Sequence, residues 1–410
     1  MRFGGRPMSS LSIREYFPFR RVKITKQRVL VKDRLAMIYL EPDNRFSPVC
    51  HECGAHARRV HSRDIRVIRD LTLALVVVRL ACKYRKVYCS RCGRVVVEDL
   101  EFVRPYQRVT LRLAQYIHEL CKMLTVAEVA DHLELDWKTV KNIDKAFLEV
   151  DYGQTDYDGL RILAVDEIAI RKGHQYMTVV LDYETGRVVW MAEGRGSDTL
   201  KGFFCEMTEA QRQGLEAIAM DMWDPYIKAV REAAPHVKIV FDLFHVVAAF
   251  GRVIDQVRMD EYREASRENK DVFKGSKYLL LKNKANLQLN QKNHLSELLR
   301  INQNLFILAI LKDKLKAIWQ YKRVGWARKA LVAWCGIARL VGHKAVNTFA
   351  KRLEKYAYGI INHCHYPIHT SRLEGVNNKI KVIKRKAYGF QDNRYFILKV
   401  KQAFANGNVN

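Results

Sequence analysis

Three apolar runs in this chain each close on an aspartate: RILAVDE (161–167) on Asp166, LEAIAMD (215–221) on Asp221 and VKIVFD (237–242) on Asp242. Short apolar runs of this kind, rich in branched residues and bounded by polar ones, read as buried strands. If the strands are neighbours, their ends carry like charges into one small volume. Such crowding is costly unless a cation neutralises it. The chain therefore has to fold so that these carboxylates are either kept apart or used together.

The surrounding pattern favours the second outcome. QYMTVVLDYETGRVVWMAEGR (175–195) reads as two strands around a YETGR hairpin. DTLKGFFCEMTEAQRQG (198–214) reads as one helix, PYIKAVREAAP (225–235) as a helix opened by proline, and FHVVAAFGRVIDQVRM (244–259) as another. A three-strand meander followed by helix, strand, helix and strand is the order of an RNase H-like fold, a mixed sheet flanked by helices. From 256 to 364 the strand pattern stops, and helical periodicity rich in Lys, Arg and Asn predicts a helical insertion.

The last major helix is predicted over SRLEGVNNKIKVIKRKAYGF (371–390). Leu373, Val376, Ile380 and Ile383 fall on one stripe, suited to packing on the sheet. Glu374, Asn378, Lys381 and Arg385 fall on another, so the lone acid heads a basic ridge. Asn378, Lys379, Lys381, Lys384 and Arg385 are candidate DNA contacts. Asp166, Asp221 and Glu374 are the candidate catalytic acids. Hard oxygen donors suit Mg²⁺ or Mn²⁺. Two such ions, roughly 4 Å apart, activate a water or a 3′-hydroxyl and stabilise the leaving oxygen of a phosphodiester. Glu167 should point to the opposite face of its strand, and Asp182 suits the hairpin turn. Asp224, just before Pro225, suits a helix N-cap and is the alternative to Asp221. Asp242 and His245, in an Asp-x-x-His spacing, are expected to support the site by orienting DNA or a loop.

Two CxxCG knuckles, CHECG (50–54) and CSRCG (89–93), are joined through strand-like alternation. Each CxxC turn sets two thiolates on one side of a loop, and the glycine permits the positive φ that follows. Cys50, Cys53, Cys89 and Cys92 thus predict a closed, tetrahedral, structural Zn²⁺ site in a zinc ribbon. The odd total of nine cysteines fits a reducing compartment better than a disulfide framework. TVAEVADHLELDWKTVKNIDKAFLEV (125–150) reads as a helix-turn-helix, with Trp137, Lys138, Lys141 and Asn142 presented toward DNA.

A formal net charge of +27 on a folded chain points to a polyanionic partner. No apolar stretch reaches 18 residues, and the N-terminus carries no apolar core like that of a signal peptide. A cytoplasmic, nucleoid-associated protein without a membrane partner is expected. The reading divides the chain into an arm with a strand pair (1–46), zinc ribbon (47–105), helix-turn-helix (106–152), catalytic core (153–255), helical insertion (256–364) and a C-terminal part of the core carrying Glu374 (365–410).

Together, ILAVDEIAIRKGHQYMTVVLDYETGRVVWMAEGR, AIAMDMWDPYIKAV, KIVFDLFHVV and EGVNNKIKVIKRKAYGFQDNRYF resemble the ISL3 family of insertion-sequence transposases. The resemblance runs over nearly the whole chain, knuckles and helix-turn-helix included. It implies a bacterial DDE enzyme of RNase H-like fold, with Asp166, Asp221 and Glu374 as the catalytic triad and Lys381 as a basic DNA contact. It implies recognition of terminal inverted repeats in double-stranded DNA, cleavage of element ends by water and joining of 3′-hydroxyls to a target, with at least a dimer bringing two ends together. The chain departs locally, with HTSRLEG where the family often has an Asn-Gly-like turn. A nuclease or resolvase of the same fold, and a non-catalytic zinc-ribbon regulator, are the competing readings.

Overall fold

Strand alternation organises the described residues between 22 and 97. β1 (Val22–Leu30), β2 (Leu35–Pro42), β3 (Arg59–Arg69), β4 (Val77–Cys89) and β5 (Arg94–Val97) form one sheet in the order β1-β2-β4-β3, with β5 also on β4. β2 runs parallel to β4, and the other pairs are antiparallel. The N-terminal strand pair therefore shares a sheet with the strands that carry the cysteines. The computed structural model describes residues 17–30, 32–73, 75–171, 173, 175–282, 286–368 and 371–405. It divides into Met1–Phe147 and Leu148–Asn410.

In the first unit, Ile38, Leu40, Ile68, Val78, Leu80 and Cys82 make the inward face of the sheet. Burying charge is costly unless it is paired and hydrogen-bonded. Accordingly the buried Arg85 guanidinium lies 2.6 Å from Glu98, and it also donates to the Phe46 carbonyl. Asp70, fully buried, accepts from the Thr110 hydroxyl at 2.7 Å and from Arg112 at 2.8 Å, joining the sheet to the first helix.

Three helices follow: α1 (Leu111–Met123), α2 (Val126–Leu133) and α3 (Trp137–Tyr152). Thr125 and Glu128 form a reciprocal capping box at the start of α2. Glu134, with φ 52°, turns the chain in the left-handed region, and Asp136 accepts the Lys138 and Thr139 N–H groups at the start of α3. His118 and Asp144, both buried, pair at 2.7 Å between α1 and α3.

The second unit is built on β6 (Ile162–Arg171), β7 (Gln175–Asp182), β8 (Val188–Glu193), β9 (Ala217–Met220) and β10 (Lys238–Phe241), in the order β10-β9-β6-β7-β8. β6, β7 and β8 are antiparallel, whereas β9 runs parallel to β6 and β10 parallel to β9. The single helix expected over 198–214 is two, α4 (Ser197–Cys205) and α5 (Glu209–Gln213). Thr208 and Gln211 form a second capping box, which starts the chain anew after α4. α6 (Asp224–Ala233) joins β9 to β10.

Beyond β10, the described residues as far as 364 hold helices and a short 3₁₀ turn: α7 (Leu243–Glu264), α8 (Arg267–Phe273), α9 (Ser276–Leu281), α10 (Leu289–Ile301), α11 (Gln303–Ile318), α12 (Val324–Leu340), α13 (Lys344–Lys355) and α14 (Ala357–Ile361). α15 (Ser371–Lys386) and α16 (Asn393–Ala403) end the fold. No helix among the described residues is long and apolar enough to cross a membrane.

Side chains alternate across the strands, giving the sheet two packed faces. Leu163, Val165, Met220 and Phe241 meet Phe203, Tyr226 and Phe250 on one face. Ala164, Ile168 and Ala219 meet Leu373, Val376, Ile380 and Phe396 on the other. The apolar stripe of α15 thus lies on the face where Asp166 points.

α14 approaches β10 closely. A Cβ at Gly359 would stand 2.4 Å from the ring of Phe241, which is itself buried between Tyr356 and Tyr358. Gly359→Ala is therefore expected to destabilise the second unit by about 1–3 kcal/mol, as overpacking does. The shift in urea midpoint measures it, and Phe241→Leu in the same chain should recover part of the loss.

Candidate active site, thiol cluster and DNA-facing helices

The register of three parallel strands places the acids. Ala164 of β6 pairs with Ala219 of β9, and Ala219 pairs with Val240 of β10. Two residues further along each strand direction, on the same face, stand Asp166, Asp221 and Asp242. Neighbouring strands are about 4.8 Å apart, so this row is necessarily close. One expectation needs correction. Asp166 does not end its strand, because β6 continues to Arg171 in its pairing with β7. It lies just past the point where the pairing with β9 stops.

His245, on the first turn of α7, points into the row. Its Nε2 lies 3.8 Å from Asp166 and 3.7 Å from Asp242, and its Nδ1 lies 3.6 Å from Asp221. Asp242 caps α7 by accepting the Phe244 N–H at 2.7 Å. Burial pushes its carboxyl up to about 6, against the pull of His245, and Asp166 and Asp221 add to the rise. Glu167 faces the other side of the sheet, 3.9 Å from Arg195. Its carboxyl is also raised, first by burial and then by Asp166 and Asp221. This is a site with more negative charge than its own side chains neutralise.

α15 reaches the row through a residue that sequence reasoning missed: Asn377 donates from its side-chain amide to Asp166. Glu374 is exposed, one turn earlier on the helix, and among the described residues it has no hydrogen-bond or ion-pair partner. The i, i+3 spacing of Glu374 and Asn377 was the available signal. Arg372 anchors the start of α15 by donating to the backbone carbonyls of Tyr183 and Glu184. His369 and Thr370, in the departing HTSRLEG stretch, lie outside the described residues.

The basic ridge divides. Asn378, Lys381 and Arg385 are exposed alongside Glu374. Lys379 instead donates to the Ala403 carbonyl at 2.6 Å and sits 4.5 Å over the Phe404 ring, while Lys384 reaches the Ala169 carbonyl. Asp224 is not an N-cap; it is the first residue of α6, its N-cap is Trp223, and its carboxylate meets Tyr356 and Lys355. Asp182 accepts from the Glu184 N–H and the Thr185 hydroxyl within the hairpin.

In the first unit, the four knuckle sulfurs all lie within 4.8 Å of one another. Gly54 and Gly93 follow the knuckles with φ of 71° and 68°. Backbone N–H groups of Glu52 and Cys92 point at the Cys50 and Cys89 sulfurs. The Cys92 N–H draws the Cys89 thiol down to about 7, whereas burial raises that of Cys50. Four soft donors at this separation fit a tetrahedral thiolate-bound ion, whereas among the described residues no group of acids and histidines, the Asp166 row included, gathers its donor atoms this closely. On α3, Trp137 is 50% exposed, Lys138 lies 5.8 Å over its ring, Asn142 is exposed and Lys141 is half-buried.

Comparison with known proteins bears on both units. A family model described as a transposase matches residues 163–400, and one described as the helix-turn-helix domain of transposase family ISL3 matches residues 98–148. The chain is 42% identical over 374 residues to the transposase for insertion sequence element IS1001 of Bordetella parapertussis, covering 90% of this chain and 92% of that one. It is 24% identical over 373 residues to the transposase for IS1557 in each of two Mycobacterium tuberculosis strains, with 84% of each chain covered.

The excess charge in the row predicts its response to cations. Asp166→Asn should hold or raise the melting temperature in EDTA, and the rise with MnCl₂ that is expected of the parent chain should be absent from the variant, as read by calorimetry. Cys89→Ser should instead strip zinc from the purified protein and lower the stability of the first unit, as read by elemental analysis and proteolysis.

Proposed function

Because the chain belongs to the ISL3 family of insertion-sequence transposases, we propose that it binds the terminal inverted repeats of a mobile element, hydrolyses the phosphodiester at each end and joins the freed 3′-hydroxyls to target DNA. The observation that carries this reading is the row of Asp166, Asp221 and Asp242 facing one imidazole, with the Glu374-bearing helix bonded to Asp166. The order β10-β9-β6-β7-β8, with its antiparallel meander and two parallel strands, supports an RNase H-like catalytic core interrupted by a helical insertion.

Asp166, Asp221 and Glu374 would hold Mg²⁺ or Mn²⁺. A divalent metal bound there supplies activation of the attacking oxygen and charge stabilisation of the leaving one. Asn377 fixes one oxygen of Asp166 and so aims the other. Asp242 and His245 support the site, Asp242 by capping α7 and His245 by standing between the acids. Asn378, Lys381 and Arg385 take phosphates along the exposed face of α15, whereas Lys379 and Lys384 steady that helix.

The four cysteines hold Zn²⁺ and keep the ribbon folded. With the helix-turn-helix they read the repeats: phosphate contacts give salt-dependent affinity, and a few contacts from Trp137, Lys138, Lys141 and Asn142 give sequence. Two ends held together call for a homodimer, acting on the nucleoid in the cytoplasm.

The test incubates the protein with a labelled repeat end, a target plasmid and Mg²⁺. Cleaved and joined products are expected. Asp166→Ala, Asp221→Ala and Glu374→Ala should each lower the rate by at least about 100-fold while sparing repeat binding, and Asp224→Ala should retain chemistry. Cleavage without joining would favour a nuclease, and binding without cleavage a regulator.

A further inference from the structure

Two large aromatic side chains stand exposed beside the acid row. Trp223 is 38% exposed and two residues past Asp221; Phe244 is 58% exposed and adjoins His245. Neither is loosely placed. The Trp223 N–H donates to the Asp221 carbonyl at 2.8 Å, its indole Nε1 donates to the Arg195 carbonyl at 3.1 Å, and Arg352 holds the preceding Met222 carbonyl at 2.6 Å. The Arg195 guanidinium lies 5.4 Å from the Trp223 ring centroid and 4.2 Å from that of Tyr176. Phe244 sits on the capped first turn of α7, edge-on to His245 at 5.7 Å.

Rigid aromatic rings held in water, one of them beside a guanidinium, suit a ligand with apolar faces and an anionic edge. A nucleobase with its phosphate has both. Bases inside an intact duplex are already stacked on each other, so contact requires that the nucleotides at the reacting position leave the stack. Stacking on aromatic side chains offsets that cost without reading sequence, and a guanidinium beside the ring favours the adjoining phosphate.

We propose that Trp223, braced by Arg195, and Phe244 are positioning residues that stack the bases flanking the scissile phosphate and hold that stretch of duplex open during cleavage. The proposal rests on reading the acid row as the strand-cutting site.

Full-length protein is compared on two repeat ends, one fully paired and one mismatched at the nucleotides flanking the cut. Trp223→Ala should cleave the paired end about tenfold more slowly than the parent, in line with the loss of one stacking contact. It should return to near the parent rate on the mismatched end, with Trp223→Phe intermediate and repeat binding unchanged. Equal slowing on both ends, or no slowing on either, overturns the proposal. If Trp223→Ala does not fold, Phe244→Ala is read in the same way. Permanganate footprinting of the parent protein with Ca²⁺ adds a measurement without any variant: flanking thymines should become reactive, and their protection overturns the proposal. A parent protein that cleaves neither end would instead overturn the strand-cutting reading itself.

Discussion

Strand register is the constraint on which the second unit depends. Ala164, Ala219 and Val240 lie side by side in three parallel strands, so the residues two positions beyond them share one face and one level. All three are aspartates. An arrangement that set three carboxylates at strand spacing would be expelled from an ordinary core. Here it survives because it lies where the β9 and β10 strands end, with His245 set among the acids and the polar side of α15 overhead. Small residues make that approach possible: Ala164 and Ala219 leave room for Leu373, Val376 and Ile380 to seat the helix on the sheet. Packing and chemistry are therefore joined through one helix, whose apolar stripe fixes its depth and whose next stripe carries Glu374 and Asn377.

The two units solve opposite charge problems. In the first, three buried clusters are paired internally: Arg85 with Glu98, Asp70 with Arg112 and Thr110, His118 with Asp144. Those pairs hold the sheet and the three helices in a defined shape. In the second, Asp242 and Glu167 are raised by burial and by their acidic neighbours, so the row keeps an unrelieved negative charge in a chain that is otherwise strongly basic. Satisfied charge suits a recognition scaffold; unrelieved charge suits a site that acquires a cation. The four-thiol cluster belongs with the scaffold: two tight turns aim backbone N–H groups at their own sulfurs, and the sheet, with Cys89 at the end of β4, brings the two turns together.

What could be read in the chain was local. The apolar runs, the CxxCG turns with their positive-φ glycines, the Thr125–Glu128 capping box and the Leu373–Val376–Ile380 stripe all depend on neighbours within a few residues. What could not be read depends on distant partners. That Lys379 reaches the end of α16 and Lys384 the β6 backbone has no local signal. Asp224 resembles a cap until Tyr356 and Lys355, more than 130 residues away, take its carboxylate. The parallel β2–β4 pairing and the Arg195–Trp223 contact likewise join stretches that share no local pattern. Asn377 was different, for its spacing from Glu374 was visible and only its partner was hidden.

In the proposed reading Asp166, Asp221 and Glu374 hold divalent metal together, although they come from two strands and a helix far apart in the chain. Iron-directed cleavage tests it directly. The protein is loaded with Fe²⁺ in place of Mg²⁺, treated with ascorbate and peroxide, and the backbone cuts are mapped by mass spectrometry. Cuts clustered near 166, 221 and 374, suppressed by excess Mg²⁺, are expected. Cuts near 166 and 221 with none near 374, or cuts that Mg²⁺ leaves unchanged, would contradict it.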